Sequence, residues 1–364
     1  MDKFVIIKGN LFCGLWYFCD KNAPQSGLDA VIIKDKRKIM TVKEKKPIII
    51  LAVIILILGV SALLVHYKIP QRAIGRIRTQ SNKEVTVYEE KVDIDGLEEP
   101  FTIFFVADSH ICLCDERDAE VKDVCESRYQ EFMRDSKGSE KNFSIVMDYV
   151  RKENPDLVIF GGDIADEATY ASIEYIEKEI GKLKCPYLFL MGNHDFAYGS
   201  EYFSEKAYTD YFTRYDALNE VKEGCQIKEY DDFAILLLDD VNNQVCDETV
   251  DAIQKLKESG KEVIIAEHVP ILPLYGETDI VERTNEVWGG DENGKSRVLM
   301  GDEAIYPKGA TRHLIAFASE DDGPVRLLLA GHIHFYHRDK INEKAVQVTA
   351  KPAYERGIVK VILY

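Results

Sequence analysis

Apolar and polar residues alternate in short blocks along the chain beyond residue 84. Five apolar runs, each too short for a buried helix, are followed directly by polar residues; they lie at 101–106, 157–160, 187–191, 263–266 and 325–330. Apolar runs of about four to eight residues are typical of strands buried on both faces. We therefore predict five buried strands, each ending in a polar cluster.

Helical spacing of apolar residues is found between these runs. Ile173, Ile176 and Ile180 repeat at helical intervals within 169–184, and further helices are predicted at 143–153 and 250–260. Strands that alternate with helices indicate an α/β fold with right-handed parallel connections. Other predicted strands lie at 85–92, 226–230, 233–238, 345–349 and 357–363.

Two segments lack this pattern. Residues 201–218 are rich in tyrosine and phenylalanine, and residues 271–308 are rich in glycine with little periodicity. Both follow closely on polar clusters, and long irregular connections in a compact domain often form lids or binding loops. The aromatic side chains of the first segment are more typical of core packing.

The N-terminal part of the chain differs from the rest. Residues 47–65 are uncharged and mostly aliphatic, which suits a membrane-spanning helix of roughly 20 residues. A buried core helix and a cleaved signal peptide are the alternatives. More Lys and Arg residues precede this segment than follow it, so the N-terminus is expected in the cytoplasm and the remainder outside it. Met40 could be the true start of the chain.

Charge and cysteine content narrow the function classes. The net charge is −17 and residues 1–80 are net positive, so the rest is strongly acidic and extended nucleic-acid binding is not expected. A small phosphate ester bound through cations is still compatible. Cys225 and Cys246 could pair across a predicted hairpin, and Cys112, Cys114 and Cys125 could staple the loop after the first polar cluster, although free thiols are equally compatible.

The polar clusters supply the candidate chemistry. They are Asp108-Ser109-His110, Gly162-Asp163-Ile164-Ala165-Asp166, Gly192-Asn193-His194-Asp195, Glu267-His268 and Gly331-His332-Ile333-His334. Carboxyl ends of parallel strands share one edge of a sheet, so these side chains are expected to form one site. In an extended segment, residues two apart point to the same side, so Asp-X-His and His-X-His could each offer two donors to one centre.

Carboxylate, amide and imidazole donors without an obligatory thiolate suit Mn, Fe, Zn, Ni or Co rather than a calcium site made of oxygen alone. About seven candidate ligands exceed the needs of one ion. Two ions that share a carboxylate would use them all, and such pairs, about 3.5 to 4 Å apart, are a common device for hydrolysing phosphate esters.

The five clusters, in this order, resemble the pattern of the calcineurin-like metallophosphoesterase superfamily over roughly residues 101–349. The resemblance implies a two-sheet sandwich flanked by helices (α-β-β-α); the N-terminal transmembrane helix, predicted from its apolar composition, lies outside it. It also implies hydrolysis of phosphate mono- or diesters by a water or hydroxide between two divalent metal ions. The domain organisation would be a cytoplasmic segment at 1–46, a membrane anchor at 47–67, a stalk and first strand at 68–95, and a catalytic domain at 96–364 with insertions near 200–218 and 271–308.

Residue roles follow from the same resemblance. The implied ligands are Asp108, His110 and His334 for the first metal, Asn193, His268 and His332 for the second, and Asp163 as the bridge. His194 is implied to be the leaving-group acid or phosphate-stabilising residue, with Asp195 placed to orient it. Asp166 matches the final position of the second cluster and is expected to tune the site or a connecting loop instead of binding metal; a solvated aspartate at the start of a helix is the alternative.

Two other functions stay open from the sequence. One is a pyrophosphatase that acts on a nucleotide-linked or lipid-linked envelope precursor. The other is an inactive, membrane-tethered protein that keeps metal for structure. The substrate, the metal identity and the oligomeric state are not fixed by the motifs.

Overall fold

The computed structural model describes residues 80–81, 84–199, 205–219, 221, 224–274, 278–302 and 307–364. The predicted cytoplasmic segment at 1–46, the membrane anchor at 47–67 and most of the stalk lie outside these residues. Within the described part of the chain, no helix has both the length and the apolar composition needed to cross a membrane. The chain divides into two units, Met1–Gln71 and Arg72–Tyr364, and the account below concerns the second.

The described residues of this unit form two six-stranded sheets. The strands are β1 (Gln80–Ser81), β2 (Thr86–Val92), β3 (Phe101–Val106), β4 (Leu157–Gly161), β5 (Tyr187–Leu190), β6 (Cys225–Glu229), β7 (Phe233–Leu238), β8 (Glu262–Ala266), β9 (Val325–Ala330), β10 (His337–Lys340), β11 (Val346–Thr349) and β12 (Gly357–Leu363). The helices are α1 (Lys122–Glu131), α2 (Ser139–Glu153), α3 (Tyr170–Ile180), α4 (Glu205–Tyr211), α5 (Glu248–Ser259), α6 (Ile280–Trp288) and α7 (Gly309–Ala318).

Strand order places the motif-bearing strands next to one another. The first sheet runs β1-β2-β12-β3-β4-β5 and the second runs β10-β11-β9-β8-β7-β6. β3, β4 and β5 are mutually parallel in the first sheet, as are β7, β8, β9 and β11 in the second. The strand β12 lies between β2 and β3, parallel to the former and antiparallel to the latter.

Alternate residues of each strand enter different cores. In β3, Ile103 and Phe105 pack between the two sheets, whereas Phe104 and Val106 pack against the helical layer that includes α2 and α3. The second sheet is covered on its other face by α5 and α7. Because both faces of these strands are buried, their sequences are mostly apolar instead of alternating. The resulting four layers confirm the predicted two-sheet α/β fold.

The structure adds elements that the sequence pattern did not predict. The connection at 271–308 contains α6 where little periodicity was found, and α1, α7 and the short strand β10 were also missed. In the loop after β3, a disulfide joins Cys114 and Cys125. The suggested Cys225–Cys246 disulfide is absent, although both residues belong to the described chain.

Candidate metal centre

The predicted ligands all lie just beyond the carboxyl ends of parallel strands. Asp108 and His110 follow β3, and the next two strands of that sheet are followed by Asp163 and Asn193. The second sheet contributes His268 after β8, and His332 with His334 after β9. Two of these seven side chains, His332 and His334, are partly buried, and the other five are buried. Both sheets thus deliver donors to one edge of the sandwich.

Four of these side chains form a first donor group. Asp108, His110, Asp163 and His334 each offer one atom within 4.8 Å of the others. The Nε2 atoms of His110 and His334 are 2.9 Å apart, and His334 Nε2 is 3.6 Å from an oxygen of Asp108. The second oxygen of Asp108, Oδ2, is buried without a hydrogen-bond partner in the described structure.

A second donor group shares Asp163 with the first. It comprises Asp163, His268 and His332. His268 Nε2 lies 3.2 Å from Asp163 Oδ2 and 3.3 Å from His332 Nδ1. Asn193 has its side-chain oxygen buried with no hydrogen-bond partner among the described residues. Asp163 is therefore the residue common to both groups, in the position that a bridging ligand would require.

Hydrogen bonds fix which ring nitrogens face inward. His110 Nδ1 bonds to Asp166 at 2.8 Å, and His268 Nδ1 bonds to the carbonyl of Gly161 at 2.9 Å. These Nδ1 atoms are therefore assigned as donors, and both Nε2 atoms face another imidazole nitrogen; in the neutral form that binds a metal ion, each Nε2 presents a lone pair there. Two nitrogens bound at about 2.0 to 2.1 Å and at right angles around one ion lie about 3 Å apart. With the orphaned oxygens of Asp108 and Asn193, this donor set fits divalent cations.

The backbone at these positions differs from the extended geometry used to explain the spacing. Five of the seven predicted ligands have positive φ: Asp108 (54°), His110 (46°), Asp163 (50°), His332 (71°) and His334 (62°). His332 and His334 fall in different donor groups, as the resemblance implies, whereas Asp108 and His110 share one. The spacing argument therefore applies to the Asp-X-His pair and not to the His-X-His pair. Positive φ costs a residue other than glycine about 1 to 3 kcal/mol and persists only where the surroundings enforce it.

The sequence profile of the calcineurin-like phosphoesterase family matches residues 101–336, which is more than half of the chain. The chain belongs to this family. No curated protein matches the sequence.

Solved structures that resemble this family member include a dimetal phosphatase from Danio rerio, with 14% identity, a TM-score of 0.46, and coverage of 72% of this chain and 93% of that one. Another is a Staphylococcus aureus protein named as a 5'-nucleotidase, with 11% identity and a TM-score of 0.42; the match covers 72% of this chain and 51% of the other. At such identities the substrates of those proteins do not transfer to this chain.

In this family member, Asp166 organises two histidines. Its buried carboxylate contacts Nδ1 of His110 at 2.8 Å and Nδ1 of His194 at 3.1 Å. Arg128 donates to both oxygens of the same carboxylate, at 2.7 and 2.8 Å. Partners of this kind orient ligating histidines and raise their basicity. Asp166 therefore couples α1 to both histidines.

Asp195 has a different role from the one expected. It was predicted to orient His194, and the structure shows Asp166 in contact with His194 Nδ1. The carboxylate of Asp195 instead accepts backbone N–H groups of Asp163 (2.8 Å), Ala165 (2.8 Å) and Gly192 (2.7 Å). It is fully buried and ties the loop after β4 to the loop after β5.

Electrostatics favour the ligating forms of several groups. Burial raises the pKa of Asp163, but nearby His268 and His194 outweigh it and hold that pKa well below its usual value. Burial lowers the pKa of His332 to about 3 and that of His334 well below its usual value. Anionic carboxylate and neutral imidazole are the forms that bind metal ions. Two proposed ligands differ. Burial raises the pKa of Asp108 to about 7 despite the charge of His268. Burial lowers the pKa of His268, but Asp163 outweighs it and raises that pKa to about 10.

Several residues of the site were not singled out from the sequence. Asp240 accepts the backbone N–H groups of His268 and Val269 at 3.0 and 2.7 Å. It follows the apolar run of β7, so the signal that marked the other clusters was present. Phe132 stacks on His110 with ring centroids 4.2 Å apart, and the Tyr354 hydroxyl lies 3.3 Å from His334 Nδ1. No local motif marks either aromatic residue.

Proposed function

We propose that this protein is a metal-dependent phosphoesterase that hydrolyses phosphate mono- or diesters with two divalent ions, drawn from Mn, Fe, Zn, Ni or Co. The observation that supports it is the sharing of Asp163 by two groups of buried donors. Ions bound there would neutralise phosphate charge and lower the pKa of water to about 7. A purely structural metal site would have no use for two adjacent groups and a neighbouring histidine.

The proposed ligands are Asp108, His110 and His334 for one ion, and Asn193, His268 and His332 for the other. Asp163 is proposed to serve both ions, because its Oδ2 lies 3.7 Å from His110 Nε2 and 3.2 Å from His268 Nε2. Its Oδ1 accepts the backbone N–H of His194 at 2.8 Å. The absence of a side chain at Gly331 leaves room for the carboxylate of Asp108. A Cβ on Gly331 would lie 2.7 Å from Asp108 Oδ2, so a larger residue there would displace a ligand.

His194 is proposed to donate a proton to the departing oxygen. Its Nδ1 is held by Asp166 at 3.1 Å, and its side chain is partly exposed. The remaining ring nitrogen, Nε2, can then face a bound ester. General acids of this kind contribute about 10²- to 10⁴-fold to a rate. Asp195 acts indirectly, by holding the loop that carries His194.

Metal loading and turnover can be tested together on the full chain. The protein is stripped with a chelator, reloaded with each of the five metals, analysed for metal content, and assayed with nitrophenyl phosphate and bis-nitrophenyl phosphate. Asp163→Asn should lose metal and nearly all hydrolysis, while Asp321→Asn at an exposed position should match wild type. Two bound ions without turnover of either ester would instead indicate an inactive metal-binding protein.

We also propose that residues 47–67 tether the domain to the cell membrane, with its site outside the cytoplasm. The uncharged stretch supports this, and the Cys114–Cys125 disulfide agrees with an oxidising compartment. Protease added to intact cells should remove the domain. Complete protection in intact cells, with cleavage after lysis, would contradict the proposed orientation.

A further inference from the structure

The insertion at 271–308 is fixed to the loop that carries two of the proposed ligands. Ile280 of α6 and Leu299 form a small buried cluster with Ile333, the residue between His332 and His334. At the start of the same helix, Asp279 contacts His337 Nε2 at 2.7 Å. The insertion is thus a packed extension of the metal centre.

Trp288, the last residue of α6, lies at the point where this insertion meets the site. Its indole N–H donates to the carbonyl of Ile333 at 3.0 Å. Its ring is 4.9 Å from the ring of His334, at an interplanar angle of 77°. The helix ends at once after it, since Gly289 has φ of 74°, a conformation that favours glycine. Trp288 is therefore held in place by its N–H while its ring remains beside a proposed ligand.

Exposure separates Trp288 from the other aromatic residues near His334. Phe132 and Tyr354 also approach this histidine, at 6.3 and 5.4 Å between ring centroids, but their exposed fractions are only 4% and 5%. The exposed fraction of Trp288 is 44%. The rings of Phe132 and Tyr354 are thus buried by packing, whereas a large part of the Trp288 side chain is accessible to a ligand.

We infer that Trp288 is a specificity-determining residue that stacks on an aromatic leaving group of the substrate; this rests on the proposed phosphoesterase function. A phosphate held at the metal centre would place its ester substituent at the rim where the indole is exposed. A planar aromatic group can stack on an indole, whereas a small polyol offers no such surface. The aromatic group could be a nucleobase or a simple aryl ring.

The test compares esters that share a phosphate and differ in the leaving group. Wild-type protein, Trp288→Ala and Trp288→Phe are assayed with a nucleoside monophosphate, phenyl phosphate and glycerol phosphate under one metal condition. Trp288→Ala should lower kcat/KM about tenfold for the aromatic esters, mainly through KM, and change glycerol phosphate less than twofold. Trp288→Phe, which keeps a ring, should retain most of the preference. A loss confined to one aromatic ester also supports the inference and identifies the source of the ring.

A matched control is Val287→Ala, since Val287 precedes Trp288 in α6 and is also exposed; it should behave as wild type. Equal losses for aromatic and glycerol esters would mean that Trp288 only braces the His334 loop, and would overturn the inference. Unchanged kinetics in Trp288→Ala would also overturn it.

Binding distinguishes failure of this inference from failure of the proposed function. Phenylphosphonate and methylphosphonate are titrated calorimetrically into the metal-loaded wild-type protein and Trp288→Ala. If no ester is hydrolysed but phenylphosphonate binds about tenfold more tightly only when Trp288 is present, the aromatic subsite stands and the phosphoesterase proposal fails. Equal affinity of the wild-type protein for the two phosphonates would overturn the inference alone.

Discussion

Replacing Asp166 by asparagine tests which carboxylate controls the histidines of the site. Asp166 makes charge-assisted contacts to Arg128 through both oxygens, and one oxygen also meets His110 and His194. An amide nitrogen at either oxygen position would face a donor, so at least one bond worth about 1.5 to 3 kcal/mol is lost. Asp166 orients the proposed ligand His110. Metal affinity should therefore fall about 10- to 100-fold in Asp166→Asn.

Asp195→Asn is the matched comparison, because Asp195 is equally buried but holds backbone N–H groups. It should lower the free energy of unfolding by about 1.5 to 3 kcal/mol, with a smaller change in metal affinity. Metal titration and denaturant unfolding of both metal-free variants provide the two readings. A variant pair in which Asp195→Asn loses metal affinity and Asp166→Asn does not would refute this division of roles.

Three further predictions concern the leaving group, the disulfide and pH. His194→Ala should retain metal and slow esters with poor leaving groups most; equal slowing of good and poor leaving groups would argue against an acid role. Cys114→Ser should weaken metal affinity through the loosened helix α1, as should reduction of the wild-type protein, whereas reduction should not affect the variant further. Asp279 and Asp339 raise the pKa of His337 against the effect of burial, so this contact stabilises the fold fully below about pH 6.5 and less as pH rises through the raised pKa. Unfolding free energies of wild type and His337→Gln, measured from pH 5 to 9, should therefore converge at high pH.

The buried strands were predictable because both their faces are covered. The structure has strands with the bounds of predicted apolar runs, each interrupted by one polar residue at most: Phe101–Val106, Phe233–Leu238, Val325–Ala330 and Gly357–Leu363. Helix α1 was missed because its sequence is mostly polar; only Cys125 is buried in it. Its contribution to the site is the ion pair between Arg128 and Asp166, and a contact between distant residues leaves no periodic pattern in the sequence.

The site was predictable as a set of residues but not in its geometry. Motif spacing predicted seven donors at one edge, and six of them form the two donor groups that share Asp163. Which side chains contact one another depended on backbone conformation. Asp195 is adjacent to His194 in sequence, yet the loop turns its carboxylate toward the N–H groups of Asp163, Ala165 and Gly192. Neighbouring residues in such tight turns diverge, so sequence adjacency is a poor guide to side-chain contact at these positions.

The position of β12 has a consequence for how the protein is made. This strand joins β2 to β3 in the first sheet, yet it follows every other described strand in the chain. During synthesis, β3 would present one unpaired edge until β12 has left the ribosome. The first sheet, with the three proposed ligand loops that follow β3, β4 and β5, would therefore close only after the whole segment from β3 to β12 has been synthesised.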